Sequence, residues 1–183
     1  MNHWFLRGLR KGDKGIAAIE FALVLPVLML MLVAVYDLSN LILCNNRANQ
    51  TAQDLNNIIT RGPVTLAQLN DILTAAPLIM QPFNFNANGK VIVTAVTQSA
   101  SGNSLPPPTK AWTQSYGGGA GASKIVLGGL PGGLILNSGQ TVIFTEVFYT
   151  YTGVFTAYSF TSGNVYQIAA GVPRQGNMAI PPA

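Results

Sequence analysis

Gly15–Tyr36 reads GIAAIEFALVLPVLMLMLVAVY, an apolar run with a single acid, Glu20, near its start. From Phe21 to Tyr36 no residue is charged, and Pro26 is the one helix breaker. Counted from Ile16 the stretch holds 21 residues, close to the roughly 20 that cross a hydrocarbon core of about 30 Å as a helix. In lipid a lone segment satisfies its backbone polar groups only as a helix. The stretch therefore reads as a transmembrane helix over residues 16–36. A carboxylate at bilayer depth is costly and points to function by default, so Glu20 is the feature to account for.

What surrounds this segment narrows the alternatives. The chain has 183 residues, enough for one membrane helix and one small domain. Charged residues make up 9%, against about a quarter in an ordinary soluble protein. Beyond Tyr36 the acids are Asp37, Asp54, Asp71 and Glu146, and the bases Arg47, Arg61, Lys90, Lys110, Lys124 and Arg174. Such scattered bases exclude a nucleic-acid partner, which requires clustered Lys and Arg. Much of the basic surplus lies before the apolar run, where Arg7, Arg10, Lys11 and Lys14 face only Asp13. By the positive-inside rule the N-terminus is expected in the cytoplasm of a single-pass inner-membrane protein, with everything after Tyr36 periplasmic or extracellular. A cleaved secretory signal does not fit, because the apolar run is too long and VAVYDLSN at 33–40 offers no small-x-small site.

A different processing pattern fits the start of the helix. Lys14-Gly15-Ile16-Ala17-Ala18-Ile19-Glu20-Phe21 resembles the prepilin signature of type IV pilins, in which a peptidase cuts after a glycine and a glutamate falls fifth in the new chain. The longer run Glu20-Phe21-Ala22-Leu23-Val24-Leu25-Pro26 resembles the TadE-like pseudopilins of the tight-adherence (Flp/Tad) system. The resemblance implies a cytoplasmic leader over residues 1–15 and prepilin peptidase cleavage between Gly15 and Ile16. It implies assembly or docking roles for Glu20, Phe21 and Pro26, and other pilin or pseudopilin subunits as partners, with membrane lipid around the anchor. On that reading Glu20 pairs with the freed α-amino group of Ile16, in its own or a neighbouring subunit, since a paired charge in low dielectric costs far less than a lone one. The alternative for Glu20 is a carboxylate that snorkels to water from one turn inside the membrane. For Pro26, a packing kink and simple accommodation within the membrane helix are equal readings.

Outward from the anchor the helical period continues. Leu38, Leu41, Ile42, Ala48, Ala52, Leu55 and Ile59 recur at spacings of three and four. Asp37, Asn40, Asn46, Arg47, Gln50, Asn57 and Arg61 mark mainly the polar side. No breaker appears before Gly62-Pro63, so the helix is expected from Ile16 to Ile59, with 37–61 as its extracytoplasmic extension. A second helix is expected to start at Thr65, with a Thr65/Gln68 capping box and a Val64–Leu69 staple, and to end before Pro77. Lys90–Gln98 reads as a strand after the Asn88-Gly89 turn, with Phe83–Asn86 as its partner. Gln140–Tyr151 reads as a central strand covered on both faces, because apolar residues occupy both parities. Val165–Ala169 adds a weaker strand. Residues 99–123, with three prolines and three glycines in runs, read as a flexible loop in which Trp112 anchors a short segment. GGLPGG at 128–133 lacks the Lys-Ser/Thr ending of a phosphate loop. The final VPRQGNMAIPPA reads as frayed. Trp112 in AWTQ together with 137–153 also resembles, more loosely, the distal half of TadE-like proteins, whereas Phe83–Ser104 carries no resemblance.

The expected fold is thus α+β: a long N-terminal transmembrane and spine helix, a short second helix, and a small antiparallel β-sheet domain (62–183) on the outer half of the spine. No catalytic constellation appears. His3 is the sole histidine and lies in the leader, so neither a His-based triad nor a zinc site is expected. Glu146 reads as a hydrogen-bonded or edge-facing strand residue. Cys44 is the sole cysteine, which excludes an intramolecular disulfide. It reads as a small apolar residue on a helix face, with an intermolecular disulfide between two copies as the alternative. No enzyme activity, cofactor or metal is expected. Two functional classes stand. One is a minor pilin or pseudopilin in a tight-adherence type IV pilus; the other is an uncleaved, membrane-tethered periplasmic assembly or binding protein.

Overall fold

The computed structural model describes residues 12–99, 106–153, 163–175 and 178. Helix α1 runs from Gly12 to Ile59 without interruption, about 72 Å at 1.5 Å per residue. It begins before Ile16, so Gly15 lies within the helix instead of marking its edge; an isolated glycine weakens a helix without breaking it. The expected leader falls partly in α1, and its residues 1–11 lie outside the described residues.

Three short helices follow. Helix α2 (Leu66–Leu73) opens on the predicted capping box: Thr65 Oγ1 accepts from the Gln68 amide at 3.2 Å, and Gln68 Oε1 accepts from the Thr65 amide at 2.9 Å. Helix α2 ends before Pro77, as expected, and Pro77 itself sits in the first turn of a separate α3 (Ala76–Ile79), where a missing N–H costs nothing. Phe83–Asn86 is not a strand. It leads into α4 (Phe85–Asn88), one helical turn whose Phe85 ring is buried under the start of the next strand.

The sheet is fully antiparallel, with four strands in the order β2-β1-β3-β4. These are β1 (Gly89–Thr97), β2 (Thr109–Tyr116), β3 (Thr141–Tyr151) and β4 (Gly163–Gly171). The partners of β1 are β2 and β3. Strand β2 falls inside the stretch expected to be a loop, of which residues 100–105 lie outside the described residues. Pairing to β1 at Trp112, Thr113, Gln114, Ser115 and Tyr116 supplies order that its Gly- and Pro-rich surroundings conceal. Strand β4 extends two residues beyond the expected strand at each end.

Helix α1 packs along β3 and β4. Near its membrane end, Tyr151 Oη donates to the Asp37 carbonyl at 3.3 Å. Nineteen residues further on, Asn56 Nδ2 donates to the Ile143 carbonyl at 2.9 Å and the Ala169 carbonyl at 3.0 Å. The spine therefore runs antiparallel to β3 and parallel to β4. One face of β3, carrying Ile143, Val147, Tyr149 and Tyr151, joins Cys44, Ala48, Ala52, Leu55 and Ile59 of α1 in the main core. The other face carries Val142 and Phe144 and is covered by Ile125, Leu130 and Leu136 from the segment before β3. Both faces of the central strand are covered, as its double-parity sequence predicts. Gly121 permits this closeness, since a Cβ there would stand 2.6 Å from the Phe148 ring.

Two local expectations change. The buried stripe of α1 includes Asp37 and Cys44, while Leu38 and Ile42 stay about half exposed; residues 37, 44, 48, 52, 55 and 59 follow the face that meets the sheet more closely than the apolar pattern does. The terminal segment is also tied down where it is described. The Arg174 amide donates to the Thr60 carbonyl at 2.8 Å, and the buried Met178 offers its carbonyl to Trp112 Nε1 at 2.7 Å. Trp112 is thereby the anchor that its setting suggests.

Candidate assembly site on the N-terminal helix

The apolar part of α1 stands free of the rest of the molecule. Its most apolar 18-residue window has none of its residues buried, and the helix is long and apolar enough to cross a membrane. Ile16, Phe21, Leu23, Met29 and Leu32 are each about 60–70% exposed. The first core residue from the N-terminal end is Asp37. The chain thus divides physically at Tyr36–Asp37 into a bare segment and a packed one, and the membrane reading of 16–36 ends at the same point.

Among the residues singled out from the sequence, the helix brings two together. At about 100° per residue, Ile16 and Glu20 sit one turn apart on one face, roughly 6 Å along the axis. Phe21 lies about 100° around from Glu20, and Pro26 about 120°, so they present other faces. Glu20 is exposed. Among the described residues nothing lies within 4 Å of a Cβ built on Gly15, so no other part of the molecule packs on that side of the helix. Pro26 removes one N–H from the ladder, which leaves the Ala22 carbonyl without its usual donor, yet α1 continues past it.

Cys44 is remote from this group, about 36 Å along the helix from Glu20. It is 0% exposed between α1 and the sheet, and burial pushes its thiol from 9.0 up to about 12. Neither accessibility nor thiolate character favours a disulfide with a second chain. That alternative is set aside in favour of a core role.

The rest of the molecule holds two buried polar features: Asn56, which the sequence analysis did not single out, and Glu146, which is hydrogen-bonded as one of its two readings expected. Asn56 is buried and donates through one amide nitrogen to the Ile143 and Ala169 carbonyls and to Thr145 Oγ1. A Cβ at position 171 would stand 2.2 Å from Asn56 Oδ1, so Gly171 makes room for this side chain. Glu146 is 0% exposed; its Oε1 accepts from the Lys124 amide at 2.8 Å and from Tyr166 Oη at 2.9 Å. Burial, and then the Glu146 hydrogen bond and charge, raise the Tyr166 phenol well above its ordinary range. The Lys124 ammonium lies 4.2 Å from the Tyr166 ring centroid, within cation–π range. Among the described residues no three His, Cys, Asp or Glu side chains converge as a metal-binding group.

The bare apolar segment, its near-terminal acid and the start of the packed spine together match a known family model, described as TadE-like protein, over residues 15–55. This segment is TadE-like. The match spans Gly15, Ile16, Glu20, Phe21 and Pro26, and it runs into the packed half as far as Leu55. The looser resemblance read for Trp112 in AWTQ together with 137–153 lies outside it. Comparison with curated proteins and with solved structures gives no significant match.

Proposed function

We propose that this chain is a TadE-like minor pilin or pseudopilin that takes part in assembly of a tight-adherence type IV pilus. It acts as a structural subunit and not as an enzyme. Its N-terminus lies in the cytoplasm, α1 crosses the inner membrane, and the α+β domain projects into the periplasm. Prepilin peptidase cuts between Gly15 and Ile16, and other pilin or pseudopilin subunits are its partners. The carrying observation is the TadE-like match over residues 15–55, joined to an exposed acid on the face of Ile16 in a helix with no fully buried residue from Gly15 to Tyr36.

The physical sequence of events follows from that geometry. Cleavage after Gly15 leaves a positively charged α-amino group on Ile16, one turn from Glu20. At bilayer depth neither charge is well solvated, and each lowers the cost of the other. A neighbouring subunit that supplies the counter-charge gains the same benefit, so the pair sets the axial position at which subunits dock.

Mass spectrometry of the membrane-extracted protein, made in a host with its own prepilin peptidase, tests the first step. The expected N-terminal residue is Ile16; an intact residue 1 in that host favours the uncleaved, membrane-tethered alternative. Glu20→Ala tests the second step. It is expected to leave membrane insertion unchanged and to abolish recovery in sheared pilus fractions, whereas undiminished recovery would show that the carboxylate is dispensable.

A further inference from the structure

The packed half of α1 has a second face, opposite the sheet, on which Leu43, Asn46, Gln50, Gln53 and Asn57 are all exposed. Their spacing alternates three and four residues, a 3.5-residue average that defines a straight seam along a supercoiled helix pair. Continued downward, the same spacing passes Ser39 and Tyr36 to Leu32, Met29 and Leu25, all exposed in the bare segment. The seam carries no charge. The charges in this part of the spine, Asp37, Arg47 and Asp54, all lie off it, and Asp37 is buried against the sheet. A solvated helix face ordinarily carries charged residues, so an exposed face of four amides and a leucine calls for a different explanation.

We infer that two copies of this chain pair through this seam as a parallel, in-register helix dimer, with the two sheet domains facing outward. The inference deepens the assembly role proposed above and rests on its membrane anchoring. Three observations select a second copy as the occupant. An in-register pair places each residue opposite itself, and an amide, with both donor and acceptor groups, pairs with an identical amide where a charge would repel its twin. Two chains anchored in one membrane are held parallel and at high effective concentration. The seam also lies on the far side of α1 from Cys44, Ala48, Leu55 and Ile59, so the domains do not obstruct it. Below Tyr36 the apolar residues supply packing between helices; above it the amides fix register, the best-attested use of a polar residue in such a seam. The Arg47–Gln50 and Gln53–Asn49 side-chain bonds within one chain occupy part of this amide capacity, and the remaining donors and acceptors are free to meet the partner.

Cysteine crosslinking of the full chain in membranes tests this. In a Cys44→Ala background, Asn46→Cys and Gln53→Cys are each expected to form disulfide-linked dimers under mild oxidation. Asn45→Cys, equally exposed but off the seam, should give several-fold less, because bridged Cβ atoms must approach to about 4 Å. Equal yields at positions 45 and 46 would overturn the proposal as random collision, and so would no dimer at 46 or 53. A mixed 46-to-53 product exceeding the like-with-like products would overturn the in-register arrangement. As an independent readout, Gln50→Glu should lower dimer yield and coexpression with a Gln50→Lys chain should restore it; no effect of either sinks the seam. Crosslinking is read in membranes before any pilus forms. Its failure therefore leaves the Ile16 and Glu20 tests standing, and their failure leaves it standing.

Discussion

At the scale of single residues, Cys44 and Glu146 are both buried but sit in different surroundings. Cys44 has no polar partner to speak for it, and its raised pKa comes from burial alone. The thiol stays protonated in the folded protein up to about pH 12, whereas the unfolded chain releases that proton near pH 9. Between those values the native state binds more protons than the unfolded state, so stability is fully present below pH 9 and falls as pH rises through the window. Denaturant melts at pH 8 and pH 10.5 should show the drop, and Cys44→Ala should reduce it. In the native protein at pH 8, iodoacetamide should leave Cys44 unmodified until denaturant is added. Glu146 is instead held by two donors, the Lys124 amide and the Tyr166 hydroxyl. Glu146→Ala takes the acceptor from both of these partly buried hydrogen bonds, and about 1–3 kcal/mol of domain stability should be lost, as read from the urea midpoint at constant slope.

At the scale of elements, the joint between spine and sheet rests on one polar side chain inside an apolar contact. Asn56 satisfies carbonyls of both β3 and β4 from a single turn of α1. Asn56→Leu removes the donor and also crowds Gly171. It should cost about 2–4 kcal/mol and open the α1–β4 contact first, which hydrogen exchange at Val165–Gly171 would register before exchange in β1. The helical period puts Asn57 on the polar side and Asn56, four residues after Ala52 and three before Ile59, beside the apolar stripe, but it does not show that the Asn56 amide reaches two strands. The same limit explains the other departures. Thr65 and Gln68 were legible because a capping box is decided within four residues. The apolar anchor and the central strand were legible because their composition alone dictates burial in lipid or between two layers. Thr109–Tyr116 was hidden, since TKAWTQSY is a weak strand whose order comes from β1, and Phe83–Asn86 was misread because one turn of helix carries too few residues to show a period. Glu20 was legible as a lone carboxylate in an apolar run, whereas Gly15 and Phe21 were singled out only through resemblance to TadE-like proteins, a kind of signal that Asn56 and Glu146 lack.

At the scale of the whole molecule, the boundary at Tyr36–Asp37 has a consequence for how the two halves depend on each other. Every residue from Ile16 to Tyr36 is exposed or half-exposed, and the hydrophobic core draws on α1 only from Asp37 onward. The bare segment therefore adds little to the packing of the domain, with only Val33 and Ala34 partly covered. A chain beginning at Asp37 is expected to be soluble, because what it loses is the apolar surface that water would reject. It should keep the domain's full stability to within about 0.5 kcal/mol, the range of surface changes away from packed features. Circular dichroism should report a helix and antiparallel sheet that melt in one transition. The same truncation removes the apolar part of the amide-lined seam and the confinement of both chains to one membrane. Amide pairs alone do not offset the entropy of association, so sedimentation should find the truncated chain monomeric at micromolar concentration. A folded monomer would place cohesion in the anchor and register in the amides above it. A folded dimer would move the cohesion into the packed half of α1, while an aggregate or unfolded chain would show that the bare segment supports the domain after all.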